Sequence, residues 1–99
     1  MITTLNLRSI ASLEDRHFAV RDFLVEAEAG RATRATLYLI DGTPATGGYP
    51  RLVTPIDPLV DRDGSYLPDL VVLSIDLAPQ WVGSARLSDI NVIELDGHA

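Results

Sequence analysis

The sequence predicts a single α+β domain, residues 1–99. One amphipathic helix packs on a mixed or antiparallel sheet of about five strands, in the order β-α-β-β-(hairpin)-β-β. Three observations lead there. The chain has 99 residues, 46% of them hydrophobic, which is enough for one core and not for two. Residues 13–29 place apolar side chains at helical spacing. Several short runs rich in strand-forming residues are separated by Gly, Pro and Asp turn signals.

Thr3 to Ile10 alternates, with Leu5 and Leu7 on one face, and reads as the first strand. Ser12 has the chemistry of a helix N-cap, with Asp15 near capping-box spacing and Glu14 adding negative charge to the first turn. The helix runs from Leu13 to about Ala29, and Gly30 closes it. Arg34 to Ile40 is the second strand, ending at the Asp41-Gly42 turn signal. Gly42 to Pro50 reads as a loop. Arg51 to Ile56 returns as a strand that Pro55 confines to an edge.

Residues 59–67 form a short hairpin with a tight Asp63-Gly64 turn. Leu70 to Leu77 is the strongest strand, apolar on both faces at its start, as a central strand requires. Ala78 to Leu87 is a loop carrying the only Trp, and Ile90 to Leu95 closes the sheet. Residues 41–69 hold five of the six prolines and four of the seven glycines, which marks that stretch as a functional loop region or a surface excursion.

At about 100° per residue, Leu13, Val20, Phe23, Leu24 and Ala27 share one arc of the helix, with His17 inside it and Arg16 at its edge. That arc faces the sheet. Asp15, Asp22 and Glu26 form an acidic ridge opposite. Phe18 and Val25, seven residues apart, fall together beside Asp22 and off the core face. An apolar anchor with a charged rim is how protein interfaces are built, so Phe18, Val25 and Asp22 are candidate partner-binding residues. Tyr49, Arg51 and Tyr66 in the proline-rich region, and Trp81 in its loop, are residue types that anchor interfaces and join the candidates.

Composition removes several chemistries. Without cysteine there is no disulfide, thiolate zinc site, iron–sulfur cluster or cysteine nucleophile. Without lysine there is no Schiff-base chemistry and no phosphate-loop lysine; all eight basic residues are Arg. A net charge of −6 with no basic stripe argues against direct nucleic-acid or anionic-membrane binding. An acidic balance most often just keeps a protein soluble, and the sharper reading is a partner with a basic surface or a nucleic-acid mimic that blocks one. The expectation is a soluble cytoplasmic chain, with neither signal-peptide pattern nor an apolar run of the ~18–20 residues that span a bilayer. Small acidic domains lacking Cys and Lys also occur among the products of phages and other mobile elements.

The site motifs that remain do not reach their chemistry. Asp57, Asp61, Asp63 and Asp69 suggest a calcium loop, yet an EF-hand register puts Leu59 and Leu70 where oxygen ligands belong. The GTPATGG run at 42–48 lacks the Lys and the following helix of a phosphate cradle. No Gly-x-Ser-x-Gly elbow is present, His17 belongs to the buried stripe, and His98 is at the end of the sequence. No cofactor or metal is expected, and an enzyme is disfavoured. The reading is a non-catalytic protein-interaction or assembly module, with a protein partner or a homo-oligomer as its product. The alternative is a small-molecule-binding domain that uses the sheet face opposite the helix, roofed by the 41–69 loops.

Overall fold

Helix α1 (Leu13–Glu26) starts where its cap predicts. Ser12 Oγ accepts the Asp15 N–H at 3.3 Å, satisfying one of the orphan donors of the first turn. The structure, a computed structural model, describes residues 2–26, 32–57, 59–74 and 81–97. The expected helix end at 27–30, the strand end at 75–77 and His98 lie outside them. On the inner face of α1, Val20 is fully buried, and Phe23 and Leu24 pack against the core.

The strands are β1 (Ile2–Asn6), β2 (Ala32–Leu39), β3 (Pro44–Val53), β4 (Leu59–Val60), β5 (Tyr66–Leu67), β6 (Leu70–Ser74), β7 (Trp81–Arg86) and β8 (Ile90–Gly97). A 3₁₀ turn, Leu87–Asp89, joins the last two. The main sheet has six strands in the order β1-β8-β2-β3-β6-β7, every pair antiparallel. Since β1 and β2 both run antiparallel to β8, they are parallel to each other, and α1 makes the crossover between them that parallel strands need. From β2 the chain meanders outward to β7, then turns through the 3₁₀ segment and inserts β8 between β1 and β2.

The expected α+β class holds, with six strands in place of five and three local corrections. Of the stretch 42–50 only Gly42 and Thr43 belong to a turn: Pro44–Val53 is one ten-residue strand. Trp81–Arg86 is likewise a strand and not a loop, pairing with β6, and it supplies the sixth strand. The first strand stops at Asn6 instead of Ile10. Beyond it, Leu7 donates its N–H to Asn91 O and buries its side chain before the chain turns to α1.

Strand β3 is the joint of the molecule. Its first half (44–47) pairs with β2 and its second (48–53) with β6, with a bulge between Gly48 and Arg51. Tyr49 in that bulge has φ +48°, a left-handed conformation uncommon outside glycine. Bulges bend strands, and here the bend brings two halves of the sheet around one core. Gly47 sits at the closest approach. A Cβ there would stand 2.7 Å from Leu73 Cβ and 2.9 Å from Val82 Cγ2.

The enclosed core contains Leu37 of β2, Leu73 of β6, Ile93 and Leu95 of β8, and Leu87 and Ile90 at the 3₁₀ turn, all essentially fully buried. Each such side chain contributes about 1.5–3 kcal/mol by leaving water. Val71, Val72 and Leu73 are all fully buried, so β6 is covered on both faces, as its continuous apolar run predicts.

Candidate functional site

The outer face of α1 leaves Phe18 at 38% and Val25 at 73% exposure, both off the buried stripe as the helical phase requires. Arg21, one turn beyond Phe18, stacks its guanidinium 4.8 Å from the Phe18 ring centroid and reaches the Asp22 carboxylate at 3.2 Å. The His17 ring meets Phe18 edge-on, with centroids 5.0 Å apart. Phe18 is thus held between two neighbours while one side of its ring stays open. Glu14, Asp15, Asp22 and Glu26 surround the pair.

His17 is buried, and its Nδ1 lies 2.6 Å from Pro68 O. A carbonyl only accepts, so Nδ1 carries the proton and the ring ties α1 to the segment before β6. This is a satisfied core histidine, as its place on the buried stripe implies.

The other sequence candidates fall on different elements. Tyr49 and Arg51 sit in strand β3, the first half-buried and the second exposed. Tyr66, well exposed, is on β5 opposite Val60, itself exposed, in the β4–β5 hairpin. The backbone of Trp81 opens β7, opposite Ser74. None of the four shares an element with Phe18, Asp22 and Val25.

The hairpin turn is a five-residue loop in place of the tight two-residue turn. Asp61 accepts the N–H groups of Asp63 and Ser65 at 2.9 and 2.8 Å, and Gly64 takes φ +82°. That uses Asp61 internally. Asp57 and Asp69 have a cation of their own: Arg86 reaches Asp69 Oδ2 through Nη2 at 2.7 Å and Nε at 3.0 Å, and Asp57 Oδ1 through Nη1 at 2.7 Å. The hydrogen bond to Asp69, followed by the charges of both carboxylates, raises the Arg86 pKa above its ordinary value. Asp69 is only 2% exposed, and its Oδ1 has no partner among the described residues. No group of three or more metal-ligating side chains occurs among the described residues.

Sequence spacing did not reveal this ion pair, nor the role of Arg16. Arg16 donates to three carbonyls, Ile10 O at 2.6 Å, Leu87 O at 2.7 Å and Ile90 O at 3.1 Å, tying the helix start to the 3₁₀ turn. A signal for the first existed: Asp69 immediately precedes the apolar run Leu70–Leu73, where a carboxylate is buried only with a counter-charge. Arg16, at the edge of the buried arc, gave no comparable sign, because its acceptors are backbone atoms.

Among the described residues, two of the concavities could admit a ligand. An apolar cleft of about 420 Å³ is lined by Thr54, Pro55, Ile56, Asp57, Leu70 and Arg86. A hollow of about 210 Å³ lies on the sheet face away from α1, between Ile2, Arg34, Thr36, Tyr38, Glu94 and Asp96. No described residue of the 41–69 stretch lines that hollow. Among the described residues no helix is long and apolar enough to cross a membrane. No protein-family model, curated protein or solved structure matches this chain.

Proposed function

We propose that this chain is a non-catalytic interaction or assembly module that docks through the outer face of α1. Its partner is a protein presenting an apolar socket rimmed by Arg or Lys. The observation that carries the reading is the pair Phe18 and Val25, exposed together on one helix face among four carboxylates and one cation, Arg21, which is itself paired with Asp22. Scattered exposed apolar residues are ordinary. Phe18 differs in being fixed by Arg21 and His17, so little side-chain entropy is lost when it docks. Half of the face's chemistry is negative, in a chain of net charge −6, which selects a basic rim.

The test places a photo-crosslinking residue at position 25, with position 62 on the hairpin as control, in extract from the native host. The expected result is one adduct at position 25 that disappears in about 0.5 M salt and in the double variant Asp22→Arg, Glu26→Arg. The adduct should contain a basic protein that also binds the purified chain. An adduct indifferent to charge reversal, or equal yields at 25 and 62, overturns the reading.

A small-molecule-binding domain is the second reading, favoured by the cleft beside Arg86, whose volume falls within the usual ~300–1,000 Å³. Against it, Arg86 already spends its donors on Asp57 and Asp69, leaving few polar groups to orient a ligand. Fragment screening by NMR separates the two: shifts confined to Leu70 and Arg86 would favour the cleft.

A further inference from the structure

We propose that the edge of β1, which no strand pairs with among the described residues, pairs with β1 of a second copy of this chain, antiparallel about a two-fold axis at Thr4, joining two sheets into one. The backbone pattern sets the register. Leu7 donates its N–H to Asn91 O, and β1 pairs with β8 in unbroken register from Ile2↔Asp96 to Asn6↔Val92. Hydrogen-bonding direction alternates along an antiparallel strand, so Thr3 and Leu5, in phase with Leu7, are turned to β8. Ile2, Thr4 and Asn6 therefore present their N–H and C=O groups to the open edge. A two-fold at Thr4 sets Thr4 against Thr4 and Ile2 against Asn6. Three hydrogen-bonded pairs then give about six backbone hydrogen bonds.

The occupant follows from charge and from what the edge lacks. Sheet edges are usually blocked by charge, Pro, a bulge or a covering loop. Ile2 to Leu7 has no charged residue and no proline, β1 has no bulge, and its side chains are exposed but for the half-buried Leu5. A chain of net charge −6 repels its own copies over most of its surface, whereas Ile2 to Leu7 sets no charged side chain on this edge. Glu94 and Asp96 stand one strand back, on β8. In the joined sheet the acidic residues of two copies would be three strand spacings apart, about 14 Å, beyond the ~8 Å screening length. The other edge, β7, is less suited: Val82 leans onto β3 at Gly47, and Arg86 is held by two carboxylates.

A five-residue strand pair is smaller than the about 1,200–2,000 Å² of a stable specific interface. The association is therefore weak and concentration-dependent, and it is independent of the α1 face. Amide hydrogen exchange by NMR tests it at low and high concentration, with mass by light scattering. At low concentration Thr3 and Leu5 are protected while Ile2, Thr4 and Asn6 exchange freely. At high concentration the mass rises toward twice 10.8 kDa, and the three even-numbered amides gain about tenfold protection or more.

Thr4→Pro removes an outward N–H without touching the β8 ladder, so it should stay folded and monomeric. Should it unfold, the phase assigned to β1 is wrong. Thr4→Lys, which sets two cations face to face on the axis, is expected to weaken the dimer while leaving exchange at Thr3 and Leu5 unchanged. The proposal is overturned if the mass stays at one chain's to the solubility limit. It is equally overturned if the mass doubles while Ile2, Thr4 and Asn6 remain unprotected, which would place the contact elsewhere.

Discussion

On the α1 side of the bent sheet, Arg16 fastens the helix start to the 3₁₀ turn through three neutral carbonyls. On the β6–β7 side, Arg86 fastens residues 57 and 69 through two carboxylates, one of them buried. Both arginines bracket the same turn, since Arg86 immediately precedes it and Leu87 donates its N–H to Asp69 O. The acceptors decide the consequence of losing each. Carbonyls left without Arg16 remain neutral and can take water. Asp69 left without Arg86 is a buried anion with nothing to balance it.

Arg86→Met should therefore be the most damaging of these single changes. It keeps the aliphatic stem and removes only the charge and its donors. The expected result is a melting temperature lower by more than about 10 °C at pH 7. The double variant Arg86→Met, Asp69→Leu should recover most of that loss, because it removes the stranded anion as well. If the double variant is no better than the single, the ion pair is not what holds this half. Asp57 is a lesser partner by the same logic: it is exposed, and Asp57→Asn should move the melting temperature by only a few degrees.

Next in size is the seam where the halves meet. Gly47→Ala puts a methyl group 2.7 Å from Leu73 Cβ, and no rotamer change moves a Cβ out of the way. The expected cost is about 1–3 kcal/mol in urea unfolding, net of the gain from replacing a strand glycine. The companion variant Gly47→Ala, Val82→Ala should be less than additive, because it removes the Cγ2 that stands 2.9 Å from the new methyl. Full additivity would mean that the two halves do not pack at this point.

The seam also explains which parts of the fold were legible. Helix α1 and its faces could be read because periodicity, a Ser12 cap and the buried His17 agree. Strand β3 could not, because Pro44, Gly47, Gly48 and Pro50 imitate a loop. Each has a positional reason that a one-dimensional pattern hides. Pro44 opens the strand, Gly47 permits the close approach to β6 and β7, and Gly48 and Pro50 flank the bulge at Tyr49. The run Trp81–Arg86 failed for a related reason: Gly83 and Ser84 weaken its strand character, and its pairing with β6 supplies what propensity does not. As for the site, the phase of Phe18 and Val25 was readable from 3.6-residue spacing. The Asp69–Arg86 pair was not, since 17 residues and a change of strand separate its members.

Arg16→Met tests the neutral-acceptor side. Three N–H donors are lost, but their carbonyl acceptors are only partly buried and can be rehydrated, so the expected loss is about 1–2 kcal/mol in urea unfolding. Its unfolding should depend on salt no more than that of the parent chain. A loss as large as that of Arg86→Met would erase the distinction between the two fastenings.

The smallest expected effect is at the turn between β2 and β3. The Asp41 carboxylate accepts from the Thr43 hydroxyl at 2.6 Å and the Thr43 N–H at 2.9 Å, and these bonds hold its pKa below the ordinary 3.8. A carboxyl whose folded pKa is depressed stabilises the fold fully above its unfolded pKa and loses that contribution as pH falls through the folded one. The parent chain should therefore exceed Asp41→Ala by a small, constant margin from about pH 7 to pH 5, and the margin should shrink below about pH 4. Comparing urea midpoints of the two chains across that range measures it directly. The side chain is fully exposed, so water and salt screen it, and a few degrees of melting temperature is the ceiling. A margin that grows on acidification would reverse the sign and make the neutral carboxylic acid the better partner of Thr43. A margin that rivals Arg86→Met at pH 7 would mean that ionic fastening matters equally in both halves, and the contrast between Arg16 and Arg86 would no longer describe how the sheet is held.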